Sequence, residues 1–510
     1  MKKNNKIIKF KPKNKYSLQK GYALYNEGMC LYKINKSELA LKKFIQAKNS
    51  GYESAEMYSC VASILKNDME EKPATVLKYL DKAIKLDKEC GYAYYLKAFI
   101  LQCEKKFDKA IENYLKAIDN QYSNPDIYYN LAQIYEYKNE PLKGLAYAST
   151  GISQYPNDMD CYEIKGSIYY FQNQYNEALR YFLKAEELGM NQNTDLYFKI
   201  SYCYSQISDN KKALEYVNKE IFLNKKDPFA FYRKGFIYYV EEDYNNAFEA
   251  FSEAEKLDAE NDLFYDMYSR MSWIWQNIKN NLKKANEYAD KAIKIYPKDS
   301  FAQYRKACIL SYGYQNYSES IKYFKKAYKL DNQYPELFFD LSNAYIQLKK
   351  IKLAQKYIEE GLEKFPDNLD LLKQKAMILY KKKQQYELKQ ILEYLLKKEP
   401  QESWNIQAYG LAMYSEKKYT EAIKYLEKLT TEELKFYNPV GFAILSFAYL
   451  KTGEKEKSLN SFLEYSKYEN LNDLEYKDKI EIRSHTKKLE KIFPNNKKVK
   501  QIKDSFASIL

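Results

Sequence analysis

A single side chain in this sequence titrates near neutral pH without special help, and it is His485. One imidazole excludes a metal centre built on two or three histidines, and it excludes the HExxH zinc motif. A Ser-His or Cys-His nucleophile would have only His485 as its base, and the neighbours Arg483, Lys487 and Lys488 make that stretch read as a solvated helix face. The seven cysteines, at 30, 60, 90, 103, 161, 203 and 308, never come closer than thirteen residues, so no CxxC zinc or redox motif exists. An odd, scattered set reads as free thiols in a reducing compartment. None of the 14 glycines precedes lysine and no two are separated by one residue, which removes the GxxxxGK phosphate loop and the GxGxxG turn; GxSxG is also missing. Carboxylate pairs such as Glu241–Glu242 and Glu359–Glu360 are frequent, but in a chain with 30% charged residues they read as solvated faces. The expectation is a chain with no catalytic residue, no cofactor and no metal, whose function lies in a surface.

What would position such a surface is a repeat. The phrases ALKKFIQA (40–47), AIENYLKA (110–117), ALRYFLKA (178–185), AFEAFSEA (247–254) and SIKYFKKA (320–327) recur along the chain. Their last residues mark thirteen copies, Ala47, Ala83, Ala117, Gly151, Ala185, Glu220, Ala254, Ala292, Ala327, Gly361, Leu395, Leu429 and Tyr465, spaced by 34 to 38 residues. Nineteen residues before the marker most copies have a small residue, among them Gly28, Ala98, Gly166, Gly235 and Gly410. Seven before it stands Ala40, Ala110, Ala178, Ala247 or an equivalent, and five after it proline in four copies. Apolar residues at three- and four-residue intervals fit two amphipathic helices per copy, with small residues where the pair approaches closely. YPND (155–158), YPKD (296–299) and FPDN (365–368) read as the turns between copies.

This pattern of small residue, aromatic, Ala, aromatic, Ala and Pro resembles the tetratricopeptide repeat family; GFIYYVEEDYNNAFEAFSEA (235–254) is among the better copies. The second copy, with Val76 for Ala, and the eighth, at 265–281, are looser. The resemblance covers residues 21–472 and implies an all-α, right-handed solenoid of about thirteen antiparallel helix pairs. Residues 1–20 read as a basic disordered tail, and residues 473–510 as helices capping the last repeat, broken at Pro494.

In the family, the first helix of each repeat lines a concave groove through residues two, five, nine and twelve. Carried onto this chain, that places Tyr92, Tyr95 and Phe99 in the third repeat, Tyr129 and Tyr170 in the next two, Phe198 and Tyr202 in the sixth, Phe229, Tyr232, Phe236 and Tyr239 in the seventh, and Tyr304 in the ninth. Tyrosine brings apolar area and a hydroxyl at low entropy cost, which suits a peptide groove. The same rings equally suit helix packing, and 56 tyrosines in a chain rich in Lys, Asn and Ile also fit an AT-rich genome. Some family members hold the carboxylate end of a chaperone through a Lys, Asn and Arg clamp. Asn130, Arg233 and Arg305 occupy sixth positions here, but Tyr95, Phe99, Phe229 and Phe301 stand where the clamp partners belong. Chaperone-tail binding is therefore disfavoured, and Arg233 and Arg305 either meet acidic groups of a partner or pair internally.

The net charge of +14 suggests nucleic acid until its distribution is read. Residues 1–20 carry eight lysines and no acid, residues 476–510 carry a net +6, and the remaining body balances 65 bases with 65 acids. Phosphate binding needs a basic track, so nucleic acid is expected only through the lysine-rich ends. The expected partner is a protein or peptide segment, with RNA binding or regulation through the basic tails as the alternative and self-association through the apolar last residues 506–510 as a further option. No long apolar stretch is present, and the chain reads as cytoplasmic without a membrane span.

Overall fold

The computed structural model describes residues 15–258, 265–430, 439–465 and 476–501. Among them there is no strand. The chain divides into two compact units, residues 1–259 and 260–510. The first holds seven consecutive helix pairs, from Lys15–Lys33 with Ser37–Asn49 to Pro228–Val240 with Tyr244–Leu257. The second holds six, from Tyr265–Asn277 with Leu282–Ile295 to Pro439–Thr452 with Lys455–Tyr465, followed by the helix Tyr476–Ile492. Each unit is an all-α solenoid in which the helices of a pair pack on each other and on the next pair. The first helix begins at Lys15, inside the stretch expected to be a tail, and residues 1–14 lie outside the described residues.

The recurring phrases work through one contact. Phe44, Tyr114, Phe182, Phe251 and Phe324, three residues before each marker, are buried almost completely. Opposite them, on the first helix of the pair, stand the small residues. A Cβ on Gly28 would lie 2.6 Å from the Phe44 ring, on Gly166 2.6 Å from Phe182, and on Gly235 2.5 Å from Phe251. The ring thus fills the space that a missing side chain leaves, and the two backbones come closer than ordinary side chains would permit. Val76 fits the looser second repeat as a buried substitute for alanine.

Two kinds of turn punctuate the array. Between repeats, the last residue of each turn phrase caps the next helix: Asp158 accepts from the Cys161 amide at 2.9 Å, Asp299 from Ala302 at 2.6 Å and Asn368 from Leu371 at 2.9 Å. Within repeats, the first helix ends on a left-handed residue that is glycine only in the last, at Gly453, and otherwise is not, as at Asn35, Lys105, Asn173, Glu242 and Lys349. The next amide reaches back five residues to close the helix, Lys106 to the Leu101 carbonyl at 2.8 Å and Lys350 to Tyr345 at 2.9 Å. Each such non-glycine residue carries roughly 1 kcal/mol of backbone strain that the closing bonds offset. In the ninth repeat the turn residue Gln315 follows the helix start Ser300 by fifteen residues, whereas Lys349 follows Pro335 by fourteen. The extra residue is taken up as a π-turn at Ile309–Gly313.

At the C-terminal end the reading of His485 as solvated is corrected. The ring is 6% exposed, its Nε2 lies 2.8 Å from Ser446 Oγ, and it packs against Phe447 and Phe462 at 4.3 and 5.4 Å between ring centres. Arg483, Lys487 and Lys488 are neighbours in sequence but leave the core face to His485, Thr486 and Leu489. Burial, with Lys488 nearby, lowers the imidazole pKa to about 3. Leu489 and Val499 join Phe442, Phe462 and Tyr465 in one apolar cluster.

Two outcomes follow from these contacts. Gly235→Ala lowers the stability of the first unit by about 2 kcal/mol, because Phe251 has nowhere to move; Gly453→Ala, in open space, does not act through such a clash. Chemical denaturation followed by circular dichroism reads the first loss. His485 binds a proton in the unfolded chain near pH 6.5 but in the folded chain only near pH 3. Its contribution is therefore present above pH 6.5 and is lost as pH falls from there towards 3. Melting between pH 7.5 and 5 should show a drop in Tm that is reduced in His485→Phe, and an identical drop in both chains would contradict it.

Candidate functional site

The first helices lie side by side, and residues two, five, nine and twelve of each reach the next. In the first repeat Tyr25 donates to Glu56 at 2.6 Å and Tyr32 to Ser63 at 3.0 Å. The Tyr95 hydroxyl donates to Asp126 at 2.8 Å, and Gln102 donates to Gln133 at 2.8 Å. Lys199 donates to Glu163 at 2.8 Å and to Ser167 at 3.0 Å. These lateral bonds explain why so many of the rings are tyrosines: the ring packs and the hydroxyl ties one repeat to its neighbour.

Every ring singled out from the sequence is half-buried, so each combines a packed edge with an accessible one. Tyr92 and Tyr95 both pack at a tilt on Tyr122, with ring centres 5.6 and 5.4 Å away. The Phe99 face receives the Lys66 ammonium at 3.8 Å. Tyr129 accepts a long bond from Gln133 at 3.4 Å. Tyr170 and Phe198 meet Tyr202 at 5.4 and 6.2 Å, which joins the fifth and sixth repeats into one aromatic surface. In the seventh repeat Tyr232 lies 6.2 Å from Phe251 and Tyr239 5.5 Å from Tyr244, and Phe229 and Phe236 are half-buried on the same helix.

The two arginines divide from the rings. Arg233 binds Glu220, a carboxylate 3% exposed, and lies over Phe198 at 4.5 Å. Burial raises the Glu220 pKa, and Arg233 works against that rise. Arg305 is buried and donates to Gln276 at 2.8 Å. Both arginines thus meet partners inside the chain, and Asn130 is buried as well. The clamp residues do not converge on an open anion site.

In the second unit the π-turn builds a polar centre that the sequence did not announce. Buried Asp340 accepts from Tyr304 at 2.6 Å and also from Tyr312, with the Cys308 thiol at 3.7 Å. Burial raises the Asp340 pKa, and the three donors oppose that rise. Tyr304 is committed to this centre and to the rings of Phe324 and Tyr334. Among the described residues no group of His, Cys, Asp and Glu is arranged to hold a metal. Burial pushes the thiols of Cys60, Cys203 and Cys308 up to about 12, far from a nucleophile at neutral pH. A crevice of about 410 Å³ between Ile152, Tyr162 and Tyr181 is rimmed by Lys165, Arg180 and Lys184, and none of the candidate rings lines it.

The Arg233–Glu220 pair provides a test of the local reading. Arg233→Met leaves a buried carboxylate without its cation and costs about 3 kcal/mol. Glu220→Gln in the same chain recovers most of that loss in thermal melts.

Sequence comparisons agree with this architecture. Models of the tetratricopeptide repeat match residues 312–378 and 160–188, and a TPR repeat model matches residues 104–138. A TPR repeat-containing protein of Methanocaldococcus jannaschii is 24% identical over 407 residues, which is 70% of this chain and 66% of that protein. Hsp70-Hsp90 organizing protein 3 of Arabidopsis thaliana is 27% identical over 165 residues, 32% of this chain and 28% of that one. The chain thus spans a little under two thirds of the first relative and a smaller share of the second. Among solved structures, YrrB, described as a TPR protein with an unusual peptide-binding site, is 24% identical, with a TM-score of 0.32 covering 38% of this chain and 97% of that one. No helix among the described residues is long and apolar enough to cross a membrane. The thirteen-fold periodicity, the helix pairs and the matching family models together make this chain a member of the tetratricopeptide repeat family.

Proposed function

We infer that this chain is a non-enzymatic scaffold that binds a peptide or protein segment along the inner positions of its first helices. Proteins of the family generally mediate protein–protein interaction. The observation that carries the reading is the run of half-buried rings, Tyr170, Tyr202 and Phe198 above all, which hold one face against their neighbours and keep the other accessible. Such rings are already fixed by packing, so they lose little entropy when a partner covers them. Hydroxyls bonded within the array add polar points that a peptide backbone can reach. The sequence carries none of the HExxH, CxxC, GxSxG or GxxxxGK motifs, which supports a binding role over a catalytic one.

The test is partner capture by crosslinking, comparing the natural chain with Phe198→Ala/Tyr202→Ala. Loss of the principal partner, with helical content and melting retained, is the expected outcome. An unchanged partner set would remove the inner rings from the binding surface.

A further inference from the structure

The rings between the third and sixth repeats share their surface with carboxylates. Asp126, Asp160 and Asp195 stand at residue two of three consecutive repeats, Glu163 at residue five and Glu136 at residue twelve. Four of them form one electrostatic neighbourhood without Glu136: Glu163, Asp160 and Asp195 all act on the Tyr129 phenol, opposed by Lys199. Asp126 and Glu163 act on Asp160 in turn. Lys199, with its side chain 14% exposed, is consumed by Glu163 at 2.8 Å and Asp195 at 2.7 Å. Asp126 accepts the Tyr95 hydroxyl. Asp160 and Glu136 are both half-buried, and neither has a side-chain hydrogen bond or ion pair among the described residues; Glu136 lies in the field of Lys199, whereas no cation acts on Asp160. Burial raises the pKa of both.

A half-buried carboxylate without a cation is costly unless something completes it. The rings around it also favour cations. At one end of this stretch Lys66 lies over Phe99 at 3.8 Å, and at the other Arg233 lies over Phe198 at 4.5 Å. The chain itself thus places a cation on a ring at both ends, and between them Tyr129 lies among Glu163, Asp160 and Asp195, of which Asp160 alone has no ion pair. We propose that this surface receives a lysine- or arginine-rich peptide segment, with a cation on Asp160 and its aliphatic stem on Tyr129. The proposal rests on the reading of the inner rings as a binding surface and adds the chemistry of the partner. It runs opposite to a carboxylate clamp, and the same charge repels a nucleic-acid backbone.

The experiment is a fluorescence-anisotropy titration of the full chain with a labelled peptide alternating lysine and leucine, beside a control peptide with glutamate for lysine. The lysine peptide binds, its affinity falls several-fold between roughly 0.1 and 0.5 M salt, and the glutamate peptide does not bind. Asp160→Asn, which keeps shape and removes charge, weakens the lysine peptide several-fold without lowering Tm. Equal binding of both peptides, or an unchanged affinity in the carboxamide variant, overturns the proposal. If Phe198→Ala/Tyr202→Ala still weakens binding in that event, only the charge inference fails; if it does not, the inner-surface reading fails with it. Binding that appears only after Lys2, Lys3, Lys6, Lys9, Lys11 and Lys13 are replaced by serine would identify the chain's own start as the occupant and overturn an external partner.

Discussion

The contact on which everything else depends is a ring resting on a position with little or no side chain. Phe44 against Gly28, Phe182 against Gly166 and Phe251 against Gly235 set the distance between the two helices of a pair. That distance fixes how the next pair stacks, and stacking brings consecutive first helices close enough for their tyrosines to bond across. In such an array each repeat depends on its own contact and on its neighbours, so stability is built locally and summed along the chain. The surface proposed for binding is a by-product of this arithmetic: one face of each first helix is used neither by its partner helix nor fully by the next repeat.

The same logic explains why charge is organised by position along that face. A residue type repeated every thirty-four residues is projected onto one line in space, as Asp126, Asp160 and Asp195 are. Overall neutrality of the body conceals this line. Net charge therefore says little about what an array of this kind binds; charge at one repeat position says more.

Legibility in the sequence followed the range of each interaction. The helix pairs, their turns and the small residues were readable because each is encoded within one repeat and then repeated. The inner rings were readable as a face, though not the division of labour within it: whether Arg305 faces outward or meets Gln276 depends on a helix twenty-nine residues away. His485 was misread because its flanking cations were taken as its surroundings; Leu489, one turn further on, was the better guide to its face. Asp340 looked like any other acid, since Tyr304 and Tyr312 reach it from the preceding repeat. The left-handed turns escaped notice because Lys, Glu and Gln occupy a conformation usually signalled by glycine.

The π-turn at Ile309–Gly313 behaves as an expansion joint. One surplus residue is absorbed in the outer half of a helix, after Cys308 has already met Phe324 and before the turn residue resets the path. Length and phase are thereby uncoupled: an insertion alters which side chain points inward without disturbing how the pairs stack. Tyr312, set within that turn, is the side chain it delivers to Asp340 of the next repeat.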